Sequence, residues 1–231
     1  MKILYLFPVF LLLLTNVNIP ASYDAGKPKL TAEVKEEIKK TKVLLVRYEA
    51  PPLSFMTPKD AVGNGLIADL TQSDIADNRE RHRFYPAKLV QNNLDSLLRA
   101  NSIVSSIEVK EQASEFMMPS ELKDLSKYAD IDADYIVEVI VPLMGWRATY
   151  GATKWRTYNL NLAVEVRIIR RKDLARVWKT NVGYGGLEDK EMKFHITELE
   201  DNGKELISDK LNIMALKASE KVIQKYIKAK K

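Results

Sequence analysis

The stretch Tyr158–Ile168, with the sequence YNLNLAVEVRI, decides the fold of this chain. Large apolar residues take every second position, and polar or small residues take the positions between them. A period of two over eleven residues is typical of a β-strand that buries one face and leaves the other in water. We therefore predict a strand whose wet face carries Asn159, Asn161, Glu165 and Arg167.

The segments around this strand predict the rest of a sheet. Arg170–Asp173 is a charged turn, after which Ala175–Tyr184 returns as the hairpin partner. Lys42–Tyr48 and Asp134–Val141 are short apolar runs rich in β-branched residues, which favours buried strands. Ser102–Val109 is a further strand candidate.

Helical spacing of apolar residues appears before and after these strands. Pro86 opens a helix whose apolar positions recur at steps of three and four residues through Leu98. Glu205–Lys228 carries one apolar stripe along a longer helix. Shorter helices are predicted over Thr31–Lys40, capped by Thr31, and over Leu66–Ile75 and Pro119–Tyr128.

The predicted order is therefore β-α-α-β-α-β-β-β-α. Alternating strands and helices followed by a meander predict a mixed α/β fold, with a single sheet of about five strands and the long C-terminal helix packed on it. We assign residues 42–231 to a single α/β domain and residues 22–41 to a polar tether or short helix.

The first residues resemble a targeting segment. Lys2 is followed by Ile3–Leu14, which has no charge. At about 1.5 Å per residue this run spans roughly 18 Å as a helix, short of the ~30 Å hydrocarbon core. We predict a signal peptide over residues 1–21, with cleavage after Ala21 or alternatively Ala25. The expected location is the periplasm, as a soluble protein, in a Gram-negative bacterium, and otherwise the secreted fraction.

Composition excludes several kinds of chemistry. The 231 residues include no cysteine, which rules out disulfides, thiolate metal sites, a cysteine nucleophile and a covalent lipid anchor on an N-terminal cysteine. The formal net charge of +5 is mild, and export argues against a nucleic-acid partner. A weak contact of the Lys-rich C-terminal end with anionic membrane is expected at most.

Several short stretches resemble a bacterial envelope domain, the one found in CsgG, LpoB and the N-terminal part of TolB. The stretches that carry the resemblance are Val43–Val46, Gly65–Leu70, Asp132–Glu138, Arg167–Ile169 and Val177–Trp178. The resemblance covers roughly residues 42–228 and contains no catalytic motif. It implies a non-catalytic role in envelope assembly, secretion or regulation through protein contacts.

Motifs for catalysis, cofactors or metals are weak, and we predict none of the three. Gly63–Ala68 has dinucleotide-type spacing, but three prolines separate it from the nearest strand. Ser120 begins an S-x-x-K pattern and fits a helix cap better. The alternating acids Asp130, Asp132 and Asp134 lack the rest of a calcium loop. The protein is accordingly expected not to be an enzyme.

The most suggestive cluster combines aromatic and arginine side chains around a predicted loop between the third and fourth strands. Such residues are enriched at interface hot spots, and packing beneath the end of the sheet is the alternative. The partner-binding candidates are Trp146, Arg147, Tyr150, Trp155, Arg156 and Tyr158.

The expected function is that of an exported, non-catalytic envelope accessory protein that binds an envelope protein or itself. The alternative is a periplasmic carrier of a small molecule or lipid, which requires a concave apolar pocket. A hydrolase ranks third, because no nucleophile and base can be paired in the sequence.

Overall fold

A computed structural model describes residues 30–48, 54–56, 85–114, 125–151, 154–186 and 188–229. Seven strands among these residues form one mixed sheet. The strands are β1 (Lys42–Tyr48), β2 (Ser54–Met56), β3 (Ser106–Ser114), β4 (Tyr135–Gly151), β5 (Lys154–Arg170), β6 (Ala175–Gly185) and β7 (Lys193–His195).

The five long strands lie in the order β3-β1-β4-β5-β6. β1 runs parallel to both β3 and β4, whereas β4, β5 and β6 form an antiparallel meander. The predicted fold class is confirmed: a mixed sheet with the C-terminal helix on it. The two short strands β2 and β7 escaped prediction because three residues are too few to show a period.

Three α-helices among the described residues accompany the sheet: α1 (Ala32–Lys40), α2 (Pro86–Ala100) and α3 (Ile196–Lys228). Thr31 caps α1, since its hydroxyl accepts from the Val34 N–H at 3.3 Å. α3 begins at Ile196 rather than at the predicted Glu205, because the Glu198 carboxylate accepts from the His195 N–H at 2.8 Å and stabilises an earlier start.

Helices α2 and α3 pack together on one face of the sheet and bury its apolar side chains. The core there includes Leu160, Leu162 and Val164 from β5, and Leu211 and Met214 from α3. The residues that alternate with these on β5 therefore point to the opposite face.

The second predicted strand, Ser102–Val109, is displaced along the chain: β3 begins at Ser106. The preceding residues end α2 instead, since Ser102 adopts a left-handed φ of 53° and the Ile103 N–H donates to the Leu98 carbonyl at 3.0 Å. The predicted helix over Leu66–Ile75 lies outside the described residues. Within Pro119–Tyr128 the structure describes a 3₁₀ turn at Ser126–Tyr128.

Candidate functional site

The partner-binding candidates lie on two paired strands rather than around a loop. β4 and β5 are 17 residues each and continue through the predicted loop as an antiparallel hairpin. Trp146 pairs with Leu160 and Arg147 with Asn159, and the last pair before the turn is Gly151 with Lys154. Tyr150, Trp155 and Arg156 lie within the same two strands, where the register shifts between Thr149 and Gly151.

We call residues 145–151 and 154–159 the hairpin arm, because they extend past the long strands beside them. β1 pairs with β4 only over Tyr135–Val139, and β6 reaches β5 only as far as Asn161. Beyond those points the arm is bordered by β2 on one side and β7 on the other. Among the described residues, no strand flanks the arm between Ala148 and Arg156.

Tyr158 differs from the other candidates in its surroundings. Its side chain is 9% exposed and belongs to the apolar core. Because β7 pairs with β5 at Phe194 opposite Tyr158, this residue lies at the base of the arm. Tyr158 therefore connects the arm to the core and does not offer its ring to a partner.

The base of the arm is tightly packed against β6. A Cβ added to Gly186 would lie 2.5 Å from Asn159 Oδ1, and one added to Gly185 would lie 2.5 Å from the Leu160 carbonyl oxygen. The Gly186 N–H also donates to that carbonyl at 3.1 Å. Only glycine allows this close approach, so the arm leaves the sheet from a fixed base.

The face of the sheet opposite α2 and α3 holds a second feature, a buried charge cluster. It consists of Glu138, Arg167, Lys127, Tyr48 and Tyr128. Glu138 is fully buried, and both tyrosine hydroxyls donate to its Oε1, that of Tyr48 at 2.9 Å. Arg167 Nη1 lies 3.7 Å from Oε2, and Lys127 Nζ lies 3.6 Å from Oε1.

In the buried charge cluster, the cations and hydrogen-bond donors match the single buried carboxylate. Burial, reinforced by the nearby Glu138 carboxylate, raises the pKa of Tyr48 and Tyr128 above the usual range, so both hydroxyls stay protonated as donors. Two cations and two donors thus surround one carboxylate. The cluster attaches the 3₁₀ turn to the sheet. In the sequence, the only sign of the cluster was the acidic residue Glu138 within the otherwise apolar run Tyr135–Val141.

The predicted wet face of β5 is wrong for two of its four residues. Asn159 is 4% exposed and Arg167 is 8% exposed. Arg167 is buried because it reaches Glu138 and because its Nε donates to Glu165 Oε1 at 2.5 Å. Alternation identified the residues that share this face, but not that it is buried.

The weaker motifs find structural explanations or lie outside the described residues. Asp132 pairs with Lys42 Nζ at 2.8 Å, and the Asp134 carboxylate accepts from the Lys42 N–H at 3.0 Å, so both acids organise the start of β1. No group of three or more potential ligands for a metal occurs among the described residues. Gly63–Ala68 and Ser120 lie outside them.

A cleft of about 530 Å³ lies between the end of α1 and the end of α2. Six of its seven lining residues have charged or polar side chains. The lining residues are Glu36, Lys39, Lys40, Arg99, Ser102, Val104 and Ser105. None of the helices in the described part of the chain has the length and apolar content needed to span a bilayer.

Comparison of the sequence with models of known protein families and with curated proteins gives no match. By structure, the chain is similar to a DUF330 protein from Xanthomonas campestris, with 6% identity, a TM-score of 0.45 and coverage of 82% of this chain and 85% of that chain. It is also similar to a minor lipoprotein from Acinetobacter baumannii, with 11% identity, a TM-score of 0.38 and coverage of 80% and 88%.

A third similar structure is the PelC dodecamer from Paraburkholderia phytofirmans, with 13% identity, a TM-score of 0.36 and coverage of 86% of this chain and 92% of that chain. Further structures with such a likeness come from Caulobacter crescentus and Neisseria meningitidis and are also described as lipoproteins. Identities and TM-scores this low carry no inference about function.

Proposed function

We propose that this chain is an exported, non-catalytic accessory protein of the bacterial envelope that binds a protein partner through its hairpin arm. The observation that carries the proposal is the arm itself, a paired hairpin that extends past β1 and β6 and bears two Trp and two Arg residues. Its place in envelope assembly, secretion or regulation follows from the CsgG-type resemblance, which stays a prediction.

The arm has the physical properties of a recognition element. Trp, Tyr and Arg dominate binding hot spots because each buries a large area and makes several contacts. Binding also costs less when the binding element is ordered beforehand. The glycine contacts at Gly185 and Gly186 hold the base of the arm in one arrangement.

Export is the second element of the proposal. The basic first residues and the uncharged run Ile3–Leu14 support a cleaved signal peptide. Mass spectrometry of the mature N-terminus tests it directly, with Ser22 or Gly26 as the first residue after the two predicted cleavage positions.

The binding test uses the three tryptophans of the chain. Affinity capture from crosslinked cells, followed by mass spectrometry, is compared between the wild type and Trp146→Ala/Trp155→Ala. We expect the double variant to lose the captured partner and still unfold cooperatively. A crosslinked species of twice the chain mass would identify the partner as a second copy.

Trp178 supplies the matched control. Its side chain is 7% exposed and its ring meets Tyr226 edge-on at 5.5 Å, so Trp178→Ala removes a core residue. We expect that variant to lower the melting temperature, unlike the double variant. The proposal fails if the double variant captures the partner normally, or if it unfolds as Trp178→Ala does. Tyr158 is left intact because it belongs to the core.

A further inference from the structure

The two outermost long strands of the sheet, β3 and β6, differ in how their free edges are covered. Lys221 Nζ donates to the Gly183 carbonyl at 2.9 Å, and Lys225 Nζ donates to the Asn181 carbonyl at 2.6 Å. Both lysines come from α3, and the two carbonyls that they bind belong to alternate residues of β6. Lysines placed on an edge hinder the addition of another strand, so α3 protects the β6 edge.

The edge of β3 presents backbone groups outward at Val109. The Lys42 N–H donates to the Asp134 carboxylate and the Lys42 carbonyl accepts from the Asp134 N–H, so Lys42 faces β4. Successive residues of a strand direct these groups to opposite sides, and Leu45 therefore faces β3. Val109, in register with Leu45, consequently directs its N–H and C=O away from β1.

No described strand pairs with β3 on that outer side. One outward group is already bound: Arg99 Nη2 donates to the Ile107 carbonyl at 2.8 Å. That bond leaves the second lone pair of the carbonyl oxygen unused. Glu108 and Lys110, on either side of Val109, are both exposed and project from the opposite face to Val109. Glu108 Oε2 also lies 3.4 Å from Lys42 Nζ on β1, and its side chain remains 58% exposed and open to a second cation.

We propose that β3 is a self-association edge, on which a second copy of this chain pairs its own β3 antiparallel about a two-fold axis at Val109. This arrangement places Glu108 of each copy directly opposite Lys110 of the other. The two cross-strand pairs of opposite charge stabilise it. The inference goes beyond the hairpin-arm proposal and does not rest on it.

The charges of Glu108 and Lys110 favour this arrangement over the other ways in which two β3 strands could pair. Parallel pairing in register would place Glu108 opposite Glu108 and Lys110 opposite Lys110. An antiparallel axis at Glu108 or at Lys110 would place two like charges face to face, which is destabilising. An axis at Val109 also closes the assembly as a dimer, since the same edge is used by both copies.

Charge reversal and charge exchange test the register. Sedimentation equilibrium of the purified chain should give a dimer whose dissociation constant rises at least tenfold in Glu108→Lys and in Lys110→Glu. The exchange variant Glu108→Lys/Lys110→Glu restores opposite charges across the axis and should return the dissociation constant to near the wild-type value. A monomeric wild type, unaffected single variants or an exchange variant that stays weak would each overturn the proposal.

A single introduced cysteine tests the axis independently, because the chain has no cysteine of its own. Val109 residues facing each other as a hydrogen-bonded pair would have Cα atoms about 5.5 Å apart, within the range that a disulfide spans. Val109→Cys should therefore form a disulfide-linked dimer under mild oxidation, whereas Asn181→Cys on the β6 edge should not. Equal yields from the two variants would refute the axis.

The two proposals fail independently. Trp146→Ala/Trp155→Ala leaves β3 unchanged, so in the Val109→Cys background it should form the disulfide dimer normally while losing its captured partner. Loss of both properties would show that the arm, and not β3, holds the two copies together, and would overturn the β3 proposal.

Discussion

On the face of the sheet covered by α2 and α3, the inward side chains of β5 are apolar, and Leu160, Leu162 and Val164 are all buried. On the opposite face, Glu138 and Arg167 are also buried but carry opposite charges. One face is therefore stabilised by removing apolar area from water. The other combines a smaller apolar cluster, which includes Leu44, Ile136 and Ile169, with buried charges that each need a partner.

This difference has an energetic consequence. A buried ion pair is close to neutral when compared with an apolar replacement of the same shape, but removal of one partner leaves the other charge buried and uncompensated. On the apolar face, the loss in the free energy of unfolding should therefore depend on the side-chain volume that a substitution removes. On the charged face, it should depend on which charged or hydrogen-bonding partner is removed.

The largest effect should come from Glu138→Ala. Removal of this carboxylate leaves Arg167 with Glu165 as its remaining acidic partner and removes the buried acceptor that the hydroxyls of Tyr48 and Tyr128 share. We expect a loss of about 3–5 kcal/mol in the free energy of unfolding, measured by urea denaturation. Glu138→Gln, which keeps an acceptor, should lose less. A loss below about 1 kcal/mol in Glu138→Ala would contradict the buried charge cluster.

On the apolar face, Leu160→Ala should cost about 3 kcal/mol, since Leu160 is fully buried and deletion leaves a cavity. Leu143 is a matched control in the adjoining strand, because its side chain is 48% exposed. Leu143→Ala should change the free energy of unfolding by less than about 0.5 kcal/mol. Similar losses for the two leucines would show that the assignment of faces is wrong.

The sequence predicted the apolar face well because its signals are local. Alternation over Tyr158–Ile168 identified the buried residues of β5, and the run Lys42–Tyr48 matched β1 at both ends. The stripe on Glu205–Lys228 placed Leu211, Met214 and Ala218 in the core. Each of these patterns lies within one element and needs no knowledge of its neighbours.

The charged face and the hairpin arm could not be predicted in the same way. Glu138 meets Tyr48, which lies 90 residues away in the sequence, and only the completed sheet brings them together. The residues between Asp134–Val141 and Tyr158–Ile168 were predicted to form a loop, but cross-strand pairing keeps both strands extended as far as Gly151 and Lys154. Strand pairing depends on the partner strand more than on local propensity.

The packing between β5 and β6 gives the next prediction. A Cβ at Gly185 would approach the Leu160 carbonyl oxygen to 2.5 Å, whereas one at Gly183 finds its nearest neighbour at 3.9 Å. Gly185→Ala should therefore cost about 1–3 kcal/mol, and Gly183→Ala should be near neutral. Thermal denaturation of the two variants measures the difference. Equal melting temperatures would show that the base of the arm has room to adjust.

The smallest expected effect is a change in folding stability at alkaline pH, compared between one tyrosine from each face of the sheet. Burial raises the pKa of Tyr226 to about 12 on the helix-covered face, and burial with the Glu138 carboxylate raises that of Tyr128 on the charged face. Since a tyrosine in the unfolded chain ionises near pH 10, each residue stabilises the folded state fully below pH 10. That stability is lost as the pH rises from 10 toward the folded pKa.

Tyr128→Phe and Tyr226→Phe should each reduce the loss of stability between pH 9 and pH 10.5 by about 1 kcal/mol. At neutral pH the two variants should differ, because the Tyr128 hydroxyl donates to Glu138 whereas the buried Tyr226 hydroxyl has no hydrogen-bond partner among the described residues. Urea denaturation at neutral pH and at alkaline pH separates the contribution of the hydrogen bond to Glu138 from the contribution of hydroxyl ionisation. Equal costs at neutral pH would mean that the hydroxyl bond to Glu138 adds nothing to the stability of the charged face.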